Sequence, residues 1–183
     1  CTCLLAKDFF KPNNPLFIAS CDYETLYSES LWENIIKDES IDGAIWTFKL
    51  ENVLYKRPDA FAYCVTDEDG VIKSVVEKKA ISSEPGKDPM VVGCFWFRKG
   101  QDFIDASESM IEERKTVNGE YYVGTSINNL IKKGKKFVTF FVDQWISYGD
   151  PFELNVYEYW EEYFFHKRNI KKEKGNESRI IDL

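Results

Sequence analysis

Asp22 directly follows an apolar run, Leu16-Phe-Ile-Ala-Ser-Cys21. Such a run reads as a strand buried on both faces. Open α/β sheets bind ligands beyond the carboxyl ends of their strands. A carboxylate there can hold Mg²⁺ together with a phosphate; it can equally cap the helix expected to follow. Glu77 and Lys78 stand side by side at the end of a β-rich run. Strand neighbours point to opposite faces. A lysine near a sheet end can neutralise a phosphate and a glutamate can accept sugar hydroxyls; a plain strand-end charge pair would look the same. Gly93 interrupts Val91-Val-Gly-Cys-Phe-Trp-Phe97. A glycine inside a strand marks close backbone approach to a ligand, or a bulge. Glu120 follows Gly119 at an expected helix start, where an acid suits the helix dipole whether or not it binds anything.

Alternating elements are expected to carry these residues. Residues 2–10 read as the tail of a helix and Pro12-Asn-Asn-Pro15 as a turn. After the strand at 16–21, residues 24–37 place Leu26, Leu31, Trp32, Ile35 and Ile36 roughly on one helix face. A strand follows at 44–48. Runs at 59–66 and 71–78 around Asp67-Glu-Asp-Gly70 make a hairpin. A loop at 81–88 leads to a strand at 90–97, then to helices at 100–115 and 120–133. Gly134 stops the second helix, with Lys132 and Lys133 in its last turn. A strand at 136–142 is open to continuation through 144–148. Asp150 and Pro151 suit the start of a last helix running to about residue 167. Its aromatic residues, Phe152, Tyr157, Tyr159, Trp160, Tyr163, Phe164 and Phe165, read as core and docking residues. The expected fold is therefore an α/β sandwich around a mixed sheet, over residues 1–168, with a polar tail at 169–183.

The 183 residues suffice for one ordinary core. With 44% hydrophobic and 30% charged residues, disorder is excluded. The net charge of −7 disfavours nucleic acid as the main partner. No apolar run is long enough to span a membrane, and no signal peptide is visible. Cys1, Cys3, Cys21, Cys64 and Cys94 form no CxxC pair, and His166 is the sole histidine. Free thiols in a reducing cytoplasm are expected, two or three of them buried in strands, rather than a zinc site. The aromatic last helix suits a homo-oligomer as well as a core role.

The order of these signals resembles the sugar-phosphate nucleotidyltransferases, the nucleoside-diphosphate-sugar pyrophosphorylases, over roughly residues 1–160. Pro15-Leu-Phe-Ile-Ala-Ser-Cys-Asp22 is similar to the family strand ending in a metal-binding aspartate. Val76-Glu-Lys78 resembles the family signature whose glutamate contacts sugar hydroxyls and whose lysine contacts the sugar phosphate. Gly93-Cys-Phe-Trp-Phe97 resembles the strand whose backbone approaches the sugar. Gly119-Glu120, with Tyr121, Tyr122 and Asn128, resembles the substrate-binding helix start, and residues 145–151 resemble the segment before the last helix. The resemblance implies a Rossmann-like three-layer sandwich with a mixed, mostly parallel sheet and an inserted hairpin. It implies transfer of a nucleotidyl group from an NTP to a sugar-1-phosphate, with Mg²⁺ held by Asp22. Asp22 and Lys78 would be catalytic; Glu77, Lys78, Gly93 and Glu120 would bind substrate.

Two departures stand out. The family's glycine-rich phosphate loop has no counterpart here and would precede Cys1, so the chain corresponds to the C-terminal two-thirds of the family domain. Ser147 stands where the family has its second metal-binding aspartate. The expectation is that these residues alone turn nothing over. The alternative function is a non-catalytic, nucleotidyltransferase-like regulatory or assembly domain. On the transferase reading, Asp22 and the Glu77–Lys78 couple must serve one cleft.

Overall fold

Side chains alternate across one long central strand, and this alternation divides the core into two layers. The computed structural model describes residues 2–49 and 58–177, with side chains through residue 169. In chain order the elements are a 3₁₀ helix at Thr2–Phe9, β1 (Leu16–Ala19), β2 (Tyr23–Leu26), α1 (Glu29–Lys37), β3 (Gly43–Phe48), β4 (Ala62–Thr66), β5 (Ile72–Glu77), β6 (Met90–Phe97), α2 (Gly100–Glu112), α3 (Val123–Lys132), β7 (Phe137–Phe141), β8 (Gln144–Ser147) and α4 (Pro151–Glu177). Short 3₁₀ turns occupy Pro58–Ala60 and Pro85–Lys87. The chain forms two compact units, residues 1–20 with 25–145 and residues 21–24 with 146–183.

In the larger unit the sheet order is β5-β4-β6-β3-β7, with β1 also paired to β6. β3 runs antiparallel to β6 along most of its length. The other side of β6 is shared: Met90 pairs with Tyr63 of β4, and Cys94 to Phe97 pair with β1. β7 lies parallel to β3, and β4 and β5 form the expected hairpin. β1, β3, β4 and β7 thus run one way and β5 and β6 the other, so the sheet is mixed with most strands in one direction. Val91, Phe95 and Phe97 meet Phe103 of α2 and Ile127 of α3 on one face. On the other face α1 brings Trp32 edge-on to Trp46 and Trp96, at 5.5 and 5.7 Å between ring centres, a geometry that aromatic quadrupoles favour. The result is the three-layer α/β sandwich expected.

Several local expectations are corrected. β1 is not buried on both faces: its residues alternate, and Phe17 is 46% exposed. Leu16 and Ile18 pack partly buried on the core of one face, while Phe17, half-exposed, meets Trp32 and Trp46 on the other; β6 is its partner in the ladder, so among the described residues its second edge is unpaired. Asp22 does not cap a helix, because β2 follows it; the cap of α1 is Ser28, whose side chain accepts the Leu31 N–H. Glu120 lies before α3, not in its first turn. Asn118 (φ 52°) and Gly119 (φ 80°) make a tight left-handed turn that returns Glu120 to Val117, with backbone bonds of 2.9 and 3.0 Å. β8 does not continue β7 but pairs with β2. α4 runs ten residues further than expected, and Asp150 caps it through the Glu153 N–H at 2.8 Å. Its aromatics are not core: Phe152, Tyr159, Trp160, Tyr163, Phe164 and Phe165 are exposed. Cys3, Cys21, Cys64 and Cys94 form no disulfide, and the two in strands, Cys64 and Cys94, are buried; Cys1 and residues 178–183 of the expected tail lie outside the described residues. Among the described residues, no helix is long and apolar enough to cross a membrane.

Gly43 shows how tightly the sheet centre is packed. A Cβ there would lie 2.6 and 2.7 Å from two carbons of the Phe137 ring, its partner on β7. Gly43→Ala is expected to lower the unfolding free energy in urea by about 1–3 kcal/mol, as overpacking does.

Candidate functional site

β5 is the last strand of its sheet, so outward-facing backbone groups on it have no neighbouring strand. Asn128 of α3 satisfies them at Val75. Its carboxamide oxygen accepts the Val75 N–H at 2.7 Å, and its NH₂ donates to the Val75 carbonyl at 2.8 Å. This clamp fixes α3 against the strand edge. Gly124, in the first turn of α3, permits the close approach: a Cβ there would overlap Glu77 Oε1 and lie 2.7 Å from Val75 Cγ1. Glu77 is therefore pressed between β5 and the helix. Burial pushes its carboxyl up to about 7, with Lys78 pulling weakly the other way. Cys64 lies within the field of that carboxyl, and burial pushes its thiol well above the usual range.

At Lys78 the chain turns into the left-handed region (φ 55°), which costs a residue with a Cβ about 1–2 kcal/mol. Two bonds to the preceding segment hold it: the Lys78 N–H donates to the Phe61 carbonyl at 2.9 Å, and Nζ donates to the Ala60 carbonyl at 2.6 Å. Nζ also stands 5.6 Å from the centre of the Tyr122 ring. The Tyr122 hydroxyl donates to Glu120, and this bond pushes the phenol up to about 12. Among the described residues, the Lys78 ammonium has no carboxylate within ion-pair distance. It keeps donors for an anion beside one satisfied backbone bond.

The structure thus brings Glu77, Lys78 and Glu120 together, with Tyr122 as the link. Gly93 is at the same end of the sheet by register. It lies three residues beyond the Met90–Tyr63 pair, toward the end where Glu77 pairs with Ala62. Of the two readings of Gly93, close backbone approach to a ligand or a bulge, the structure shows the bulge: the ladder steps from Ile45–Phe95 to Thr47–Val91, leaving residues 92–94 opposite Trp46. Gly93 has φ 109°, and its carbonyl accepts the Ser20 N–H at 3.2 Å.

Asp22 belongs to the smaller unit. There the Tyr148 N–H donates to the Asp22 carbonyl at 2.8 Å. Ser147 Oγ donates to Glu153 Oε2 at 2.5 Å and accepts the Gly149 N–H at 3.2 Å. Gly149 lies close against three oxygens: a Cβ on it would sit 3.3 Å from Ser147 Oγ, 3.5 Å from Asp22 Oδ2 and 3.6 Å from Glu153 Oε2. Among the described residues no three acidic, histidine or cysteine side chains converge. The set here is two carboxylates and a hydroxyl, hard oxygen donors that fit Mg²⁺, which keeps most of its waters and takes one or two protein carboxylates. Glu153 and Gly124 escaped sequence reasoning. Glu153 could have been found from the Gly149-Asp-Pro151 turn, which folds the first turn of α4 back onto Ser147.

Solved structures share this fold. A nucleoside-diphosphate-sugar pyrophosphorylase from Vibrio cholerae RC9 superposes with a TM-score of 0.61 at 19% identity, over 82% of this chain and 58% of that one. A protein assigned as a glucose-1-phosphate thymidylyltransferase from Bacillus anthracis, solved with a sucrose, gives 0.56 at 19% identity, over 82% and 55%. The inositol-1-phosphate CTP transferase from T. maritima gives 0.56 at 12%, over 86% and 58%. The chain thus spans somewhat more than half the length of these neighbours, and at such identities the likeness is one of fold, which is nucleotidyltransferase-like. No family model and no curated protein sequence matches the chain.

The Glu77 carboxyl has a consequence for stability. Its folded pKa of about 7 stands above the ordinary 4.5, so the folded state holds the proton more tightly. The stabilisation is full below about pH 4.5 and is lost as pH rises through about 7. Glu77→Gln, which stays neutral, should remove this dependence. Urea unfolding of the wild type should lose about 3 kcal/mol more than the variant between pH 4.5 and pH 8.

Proposed function

We propose that the chain serves a nucleotidyltransferase that joins an NTP to a sugar-1-phosphate. A phosphate oxygen of the sugar phosphate attacks the α-phosphorus, the bond to the bridging oxygen of the β-phosphate breaks, and pyrophosphate leaves with that oxygen. The observation that supports this most directly is the Glu77–Lys78 corner on a nucleotidyltransferase-like sheet. Lys78 meets the sugar phosphate as a compact charge with donors to spare. Glu77 directs the sugar hydroxyls, and its near-neutral pKa lets the carboxyl act as donor or acceptor. Gly93 offers backbone at the bulge, and Glu120, fixed by Tyr122, accepts a further hydroxyl. Mg²⁺, when bound, would spread the phosphate charge; Asp22 is the carboxylate proposed to hold it. Such a reaction asks for positioning and charge neutralisation rather than covalent work by the protein.

The 183 residues contain no glycine-rich phosphate loop, so we expect weak NTP binding and no turnover from this chain alone. The free thiols fit a cytoplasmic setting. A second reading, a non-catalytic assembly domain, is favoured by the exposed aromatic residues along α4 and by Ser147.

Calorimetric titration of glucose-1-phosphate into the chain with Mg²⁺ separates the two. The transferase reading expects saturable binding, weakened about tenfold or more by Lys78→Met, the loss of one charge-assisted contact. A coupled assay should detect no sugar-dependent pyrophosphate release. Absence of any sugar-phosphate binding would favour the assembly domain.

A further inference from the structure

α4 leaves an apolar stripe uncovered. Phe152, Val156, Tyr159 and Tyr163 recur at helical spacing with Trp160 beside them, and all five are exposed. From Tyr159 onward, the described ring contacts of α4 are with its own residues. Trp160 lies 5.3 Å from Tyr159, 5.6 Å from Tyr163 and 6.0 Å from Phe164 between ring centres. Lys167 Nζ stands 5.5 Å from the Tyr163 ring of the same helix. A contiguous aromatic surface of this kind marks a place where another molecule docks.

The charge along the helix indicates which molecule. Residues 150–162 carry five acids and no base, whereas residues 167–174 carry five bases and one acid. The 27 residues of α4 span about 40 Å. Their midpoint is residue 164, next to Tyr163 and one turn from Trp160. A second copy laid antiparallel, about a two-fold axis at that point, sets each acidic half against the basic half of the other. Opposed helix dipoles favour the same arrangement. Parallel pairing would set like halves together. A polyanion or an anionic membrane surface would meet the acidic half along with the basic one. The partner that matches the whole helix is the helix itself.

We propose that the chain forms a homodimer in which two α4 helices pair antiparallel, with Trp160 and Tyr163 near the centre and oppositely charged halves on either side. The pairing does not depend on the chemistry at Lys78 and goes beyond the transferase reading.

Sedimentation equilibrium of the full 183-residue chain tests it. The wild type should be a dimer at micromolar concentration. Trp160→Glu should weaken the dimer about thirtyfold or more, as loss of a central aromatic anchor does, with circular dichroism confirming that the helix persists. Changing Glu158, Glu161 and Glu162 together to Lys should give a monomer at low salt, because two basic stretches then face each other. Changing Lys167, Lys171 and Lys172 together to Glu should do the same, and an equimolar mixture of the two triple variants should restore the dimer. That rescue separates charge pairing from simple unfolding of the helix. A monomeric wild type would overturn the proposal. So would a dimer unaffected by Trp160→Glu, or a mixture that stays monomeric. A dimer unaffected by the three Glu→Lys changes would overturn it too, since that is the behaviour of parallel pairing. Lys78→Met should leave the dimer intact, so loss of sugar-phosphate binding and loss of self-association are read separately.

Discussion

The Asn128 carboxamide, bonded to both backbone groups of Val75, is the contact on which the larger unit's chemistry depends. A sheet edge left open would invite water or another strand. Here one side chain closes it and draws α3 down onto the end of β5. Gly124 then lets the helix approach until Glu77 loses much of its solvent, and the strand must end there. Lys78 takes up the left-handed turn, where two backbone carbonyls and the Tyr122 ring collect around it. The raised carboxyl, the turned lysine and the ordered tyrosine follow from one helix held close to one strand.

The smaller unit shows a second use of a glycine for space. Gly149 lets the chain pass close to Ser147, and the capped first turn of α4 returns Glu153 to the Ser147 hydroxyl. The larger unit sets a mostly buried acid, Glu77, beside the Lys78 ammonium; the smaller holds Glu153 against the Ser147 hydroxyl.

Much of the fold was legible because burial patterns are periodic. The hairpin around Asp67-Gly70, the central strand at 90–97 and the helix after it follow directly from apolar spacing and a turn signal. What misled was context that local spacing does not carry. Residues 16–19 look fully buried, but they lie on a short strand with one edge unpaired among the described residues, and Phe17 and Ala19 stay exposed. Residues 24–26 read as the start of a helix, yet with Tyr23 they form a strand paired with β8. Glu120 precedes its helix because Asn118 and Gly119 form a two-residue tight turn that pairs it with Val117. At the site, Glu77, Lys78 and Glu120 were visible as adjacent charges and a Gly-Glu pair. Gly124 and Glu153 were not, since a glycine near a helix start and an acid in a first turn each have common structural explanations, and only the packing shows what they face.

The central claim is that the corner made by Glu77, Lys78 and Tyr122 receives a sugar phosphate. The most direct measurement is a ¹⁵N-resolved nuclear magnetic resonance titration of the chain with glucose-1-phosphate. Saturable shifts concentrated on the amides of Lys78, Gly93, Glu120 and Tyr122 are predicted, with the α2 amides silent. Shifts that spread evenly over the surface, or that leave Lys78 and Tyr122 unmoved at saturation, would contradict the account.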